Sequence, residues 1–145
     1  MRVLVTGSRD WTDRDAVYAA LAMERSSIPV FDNFTVVHGD CPRGADRIAN
    51  DWVLDQTVPG DYVFVERHPA DWGRSCDESC YHKPRFKDGR PYCPMAGHLR
   101  NQKMVDLGAD LCLAFPLPDS RGTKDCMRRA AKAGIPVKEV KPLGR

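Results

Sequence analysis

The feature that most constrains this chain is a series of short apolar runs, each stopped by a glycine or polar turn and each followed by a helical pattern. Val3 to Thr6 is β-branched and apolar and halts at Gly7, the pattern of a strand buried on both faces. Thr12 then offers a side-chain cap, and Asp13 and Asp15 favour the positive end of a helix. That helix is predicted to reach about Arg25, with Ala16, Val17, Ala20, Leu21 and Met23 as its apolar stripe. Phe34 to His38 reads as a second strand. After a turn from Gly39 to Gly44, Ala45, Ile48, Ala49, Trp52 and Val53 recur at helical spacing.

The alternation continues down the chain. Tyr62 to Val65 is a third strand, and Asp110 to Phe115 a fourth that ends at Pro116. Between them, Leu99 to Leu107 suits a helix closed by Gly108. Ser120 to Ala133 is a further helix ended by Gly134, and Ile135 to Val140 a last strand with Pro136 at its start. Strand and helix in regular succession imply crossover connections and a parallel sheet covered on both faces. The expected fold is therefore α/β: a Rossmann-like, doubly wound, mainly parallel sheet of about five strands. A length of 145 residues suits one domain, 1–145, with a core of its own. A composition shift from Gly73 to Pro94, rich in Cys, Pro and basic residues, reads as an inserted loop spanning 73–95.

In such sheets the ligand crevice lies outside the carboxyl ends of the strands, so the informative residues directly follow each apolar run. After the first strand come Gly7, Ser8 and Arg9: a close backbone approach, a hydroxyl, and a guanidinium that can grip phosphate by two hydrogen bonds. After the second come Gly39, Arg43, Gly44, Ala45 and Asp46, a loop that opens into a helix whose first N–H groups can cradle phosphate. Asp46 suits either a ribose hydroxyl or the first helical turn. His68 and Trp72 follow the third strand, where Trp72 suits either stacking on a base or packing. His98, Arg100 and Asn101 precede the fourth. Ser120, Gly122 and Thr123 open the last long helix as a second phosphate-binding turn.

These segments, Gly-Ser-Arg, Gly-x4-Gly-Ala-Asp, Arg-Asn and Ser-x-Gly-Thr in that order, resemble the YspA-type branch of the SLOG superfamily over nearly the whole chain except the insertion. That superfamily includes the cytokinin-activating LOG phosphoribohydrolases and the DNA-processing protein DprA. The resemblance implies a nucleotide or nucleotide-derived ligand such as ADP-ribose, and a homodimer or higher homo-oligomer. LOG enzymes cleave the N-glycosidic bond with an Arg from Met-His-x-Arg-Lys and a Glu from Pro-Gly-Gly-x-Gly-Thr-x-x-Glu. Here His98 and Arg100 match the first segment and Gly122-Thr123 part of the second, but Cys126 stands at the glutamate position and Asp125 is the nearest carboxylate. A thiol cannot replace a carboxylate beside an oxocarbenium-like centre. The first expectation is thus a binding protein or sensor. The second is a hydrolase using Arg100 with Asp125, Asp46 or Asp71.

The insertion reads Cys76-x3-Cys80-x-His82-x10-Cys93-x4-His98. Structural zinc takes four Cys or His ligands tetrahedrally and can replace a core where a loop has none. Cys76, Cys80, His82 and Cys93 are the favoured set, with His98 as the alternative fourth ligand. A loop with free thiols, or a disulfide from Cys76 to Cys93 or Cys80, are the other readings. Cys112, inside an apolar strand, is expected to be a buried thiol.

Composition narrows the partners. Lys and Arg number 22 and Asp and Glu 20, a formal charge of +2, so no global field draws in nucleic acid. A DprA-like contact with nucleic acid, the third and least favoured reading, would need the local cations Arg74, Lys83, Arg85, Lys87 and Arg90. No apolar stretch approaches the roughly 18 residues that cross a bilayer, so no membrane contact is expected. The start Met-Arg-Val-Leu-Val-Thr-Gly is too short an apolar run for a secretory segment. A cytoplasmic protein is expected.

Overall fold

In the computed structural model of the chain, the described residues are 1–56, 61–77, 80, 82–83 and 85–143. Five strands form the parallel sheet: β1 (Arg2–Gly7), β2 (Phe34–His38), β3 (Val63–Arg67), β6 (Leu111–Phe115) and β7 (Val137–Glu139). Helices α1 (Arg14–Ser26), α2 (Ala45–Gln56), α3 (Ala96–Asp106) and α4 (Arg121–Lys132) connect them, and a separate hairpin, β4 (Arg85–Lys87) with β5 (Arg90–Tyr92), rises from the insertion. The sheet order is β3-β2-β1-β6-β7. The chain therefore builds outward from β1 on one side, then returns to its other side. The switch point lies between β1 and β6, where ligands of doubly wound sheets bind.

Successive residues of β1 serve opposite faces, because strand side chains alternate. Val3 and Val5 join the cluster made with Val17 and Leu21 of α1 and Ile48 and Trp52 of α2. Leu4 joins the opposite one, with Met104 and Val105 of α3 and Cys126 and Ala130 of α4. Both faces are thus covered, as the unbroken apolar run of β1 requires. No helix among the described residues is long and apolar enough to cross a membrane.

Element boundaries depart from the sequence reading at several points. The third strand is Val63–Arg67, not Tyr62–Val65. It is an edge strand with no neighbour beyond it; Phe64 is 48 % exposed, and Glu66 continues the ladder while pairing with Arg2 at 2.8 Å. Asp13, not Thr12, caps α1, because its Oδ1 accepts from the Ala16 N–H at 3.1 Å. Met23 leaves the expected apolar stripe and is 61 % exposed, its sulfur beside Lys138 of the edge strand β7. Helix α3 starts at Ala96, three residues before the expected Leu99, so His98 joins Arg100 and Asn101 on helical turns. The inserted stretch 73–95, of which residues 78, 79, 81 and 84 lie outside those described, contains a hairpin that its composition did not announce.

Candidate functional site

A cavity of about 410 Å³ opens at the carboxyl ends of β1, β2 and β6, the place the topology favours. Most of the expected ligand residues line it. Gly7, Ser8 and Arg9 come from the turn after β1, Gly39 and Asp46 from the turn after β2 and the start of α2, and Trp72 from the segment after β3. His98, Arg100 and Asn101 enter from α3, and Ser120, Gly122 and Thr123 from the start of α4. Arg43, Gly44, Ala45 and His68 do not line it. Arg43 sits exposed, 3.4 Å from Asp10. His68 borders a different recess and holds Glu66 at 2.9 Å.

The two glycine loops differ in use. A Cβ on Gly44, which sits at φ +78°, would overlap the Ser8 carbonyl and the Arg9 backbone, and the Ala45 N–H donates to Ser8 O at 3.1 Å. The start of α2 therefore packs on the turn after β1, and Gly44 permits that contact instead of cradling an anion. Gly7 likewise leaves room for Ala45 and Phe115 side chains. At α4 the reverse holds. Ser120 makes no side-chain cap, its Oγ accepting instead from the Leu117 N–H at 2.9 Å. Nothing lies within 4 Å of where a Gly122 Cβ would sit. The first turn of α4 thus borders the cavity, with the Arg121 N–H bound to Asp119 O at 2.9 Å but the Gly122 and Thr123 N–H groups and the positive end of the helix dipole available.

Several polar side chains hold the site's own loops. Arg100 Nη1 donates to the Gly39 and His68 carbonyls and its Nε to Asn101 Oδ1 at 3.0 Å, so the guanidinium fills the space above Gly39 and pins two loops to α3. Asn101 Nδ2 donates to Gly122 O and Asp125 Oδ2, both at 3.2 Å. Asp125 does not line the cavity. Its carboxylate also accepts from Arg129 Nε at 2.9 Å, linking α3 to α4. Burial pushes the Asp125 carboxyl up, but the bonds from Arg129 and Asn101, with His98 close by, outweigh it and hold the group below the usual carboxylate range. Asp125, expected as the reacting carboxylate, stands behind the cavity wall and clamps α3 to α4. Asp71 also lies outside the lining, in the recess of His68.

Arg9 keeps its guanidinium unpaired among the described residues, with its Cζ 5.6 Å from the centroid of the Trp72 ring. Trp72 is 37 % exposed, and its ring packs against Gly97 of α3. His98 has Nδ1 buried 3.1 Å from Asp125 Oδ2, near in distance but out of line for a hydrogen bond. Asp46 is buried. Desolvation raises its pKa, opposed by the nearby Arg100 charge and by the Cys41 N–H at 3.3 Å. His38 is a residue the sequence reading missed. Its ring is fully buried, with Nδ1 accepting from the Asp40 N–H at 2.9 Å and Nε2 3.0 Å from Asn50 Oδ1. That bond supports Asp40 in its left-handed conformation, φ +54°, and so shapes the turn after β2. Its signal was a histidine ending an apolar strand just before a glycine.

The insertion gathers a second constellation. The ligand atoms of Cys76, Cys80, His82 and Cys93 all lie within 4.8 Å of one another, an arrangement that could hold a metal ion. His82 Nδ1 donates to the Lys83 carbonyl at 2.7 Å, which leaves Nε2, 3.4 Å from Cys76 Sγ, as the ligating nitrogen. Arg74 Nη1 donates to Cys80 Sγ at 3.0 Å and Cys93 Sγ at 3.4 Å. His98, the alternative fourth ligand, is not in this group. None of the cysteines is disulfide-bonded, so that reading falls too. Cys112 is buried as expected, and burial pushes its thiol up to about 12.

The model of the YspA, cpYpsA-related SLOG family matches residues 1–74. The Gene 61 protein of Mycobacterium phage D29 is 47 % identical over 136 residues, covering 94 % of this chain and 93 % of that one. No solved structure matches the chain.

Proposed function

Since the chain belongs to the YspA, cpYpsA-related SLOG family, we propose that it binds a nucleotide or nucleotide-derived ligand of the ADP-ribose kind in this cavity, as a sensor or binding protein. One observation carries the reading: the uncapped first turn of α4, the unpaired Arg9 and the exposed Trp72 line one cavity at the switch point of the sheet. The α4 amides and Arg9 would hold phosphate, and Trp72 would stack on a base. Calorimetric titration with AMP and ADP-ribose tests this. Saturable binding is expected, weakened about tenfold or more in Arg9→Ala, since a charge-assisted hydrogen bond contributes about 1.5–3 kcal/mol. No binding of either ligand removes the proposal.

N-glycosidic hydrolysis is the second reading, favoured by Asp46, a buried carboxyl in the cavity lining whose pKa desolvation raises. Release of free base from AMP, NAD or ADP-ribose, followed by chromatography, would turn the binder into an enzyme.

The four-residue group is proposed as a structural zinc site in a cytoplasmic protein, where thiols stay reduced. A zinc ion about 2.3 Å from sulfur and about 2.1 Å from nitrogen sets tetrahedral edges of about 3.6–3.8 Å. The separations of Cys76 Sγ from His82 Nε2, 3.4 Å, and of Cys80 Sγ and His82 Nε2 from Cys93 Sγ, 3.8 Å each, fit those edges. Three thiolates around a dication leave one negative charge, which Arg74 neutralises. Native mass spectrometry is expected to report one zinc per chain. Metal-free protein with its insertion still ordered would refute the assignment.

A further inference from the structure

Trp72 lines two recesses. One is the cavity; the other is walled by Lys87, Arg90 and Tyr92 of the insertion hairpin, with Asp88 at its turn. The Asp88-Gly89 turn has both residues at positive φ, 52° and 74°, the form favoured by two-residue hairpins. It fixes the register so that Lys87 stands directly opposite Arg90 and Arg85 opposite Tyr92. Like charges placed directly opposite destabilise a strand pair. Neither Lys87 nor Arg90 finds a hydrogen-bond or ion-pair partner among the described residues. The hairpin thus keeps two cations side by side, with Asp88 as the one carboxylate lining the recess and no ion pair to either cation among the described residues. A phosphate between them would convert that repulsion into two attractions.

The remaining wall is aromatic. Tyr92 meets Trp72 edge to face, ring centroids 6.5 Å apart. The Cys93 N–H donates to the Trp72 carbonyl at 2.8 Å, so the metal-ligand group holds this wall in place. A hairpin with three-residue strands would not be stable alone. His82 before β4 and Cys93 after β5 anchor both its ends.

We propose that this recess is a second anion subsite, and that the ligand of the cavity is a nucleotide carrying a further phosphorylated unit, as a dinucleotide does. Its second phosphate lies between Lys87 and Arg90, and Trp72 separates the two units. The inference rests on the nucleotide reading of the cavity. The test is titration of the full-length protein, in zinc-containing buffer, with AMP and with the dinucleotide pApA, for the wild type and a Lys87→Ala, Arg90→Ala double variant of equal metal content. The wild type is expected to bind pApA at least about tenfold more tightly than AMP, and the double variant to lose that gain while binding AMP as before. If AMP binds and pApA binds no tighter, or the double variant keeps the gain, the subsite is wrong and the nucleotide cavity stands. If neither ligand binds, the cavity reading fails and the subsite with it.

Discussion

On the sheet side of the cavity, Val3, Val5, Leu113 and Phe115 are wholly buried, and the turns that form the wall lean on them. On the insertion side, Phe86 is 66 % exposed and the hairpin strands bury almost nothing. Yet Trp72, on that side, faces the same cavity. The first wall draws its order from apolar burial and close backbone contact. The second draws it from four ligand side chains, Arg74 behind them and one backbone bond to Trp72. If this contrast is right, damage to the first wall should unfold the protein, whereas damage to the second should leave the fold and spoil binding.

The largest effect is expected at Gly44. Alanine there meets the Ser8 carbonyl and must also adopt φ +78°, so Gly44→Ala should cost about 3 kcal/mol of global stability in denaturant unfolding. A change below about 0.5 kcal/mol would mean that the start of α2 does not bear on the turn after β1, and Gly44 would return as an anion cradle.

Asp125→Asn should come next. The carboxylate accepts from Asn101 and Arg129 through one oxygen and is 9 % exposed as a side chain; an amide can turn its oxygen to both donors but loses the charge that strengthens those bonds, costing about 1–2 kcal/mol. Because folding lowers this pKa, the carboxylate's contribution is present above about pH 4 and is lost as pH falls through the folded value. The gap between wild type and variant in thermal unfolding should therefore narrow below about pH 4. A gap that stays constant with pH would show that the charge is not what holds α3 to α4.

Sequence patterns carry the sheet-built side well. The apolar runs and the glycines at 108 and 134 placed strands and helix ends within a few residues, since burial and positive φ leave marks in residue type. They carry the division of labour poorly. Gly39, Gly44 and Gly122 look alike in sequence, yet one makes room for Arg100, one for a neighbouring turn and one for empty space. Those differences arise from distant partners, which no local pattern contains. The Cys and His spacing named the right group because coordination depends on ligand type. It favoured His82 over His98, and the chain path puts His98 on α3, beside Asp125 and outside the group.

Cys93→Ser should have the smallest effect on the fold and the most selective one on binding. Cys93 is buried and belongs to the metal-ligand group, while its N–H reaches Trp72. Serine keeps the backbone bond but is a poor zinc ligand. The protein should then lose its zinc, and the unfolding transition of the sheet should move by less than about 0.5 kcal/mol, because the core clusters contain no insertion residue. Trp72 fluorescence should become more accessible to quencher, and affinity for nucleotide should fall several-fold as Arg9 loses a fixed ring to lie against. The measurement that matters is the ratio of the two effects. If zinc loss lowers global stability by as much as Gly44→Ala does, the insertion is part of the folding unit, and the contrast between a packed wall and a coordinated one disappears.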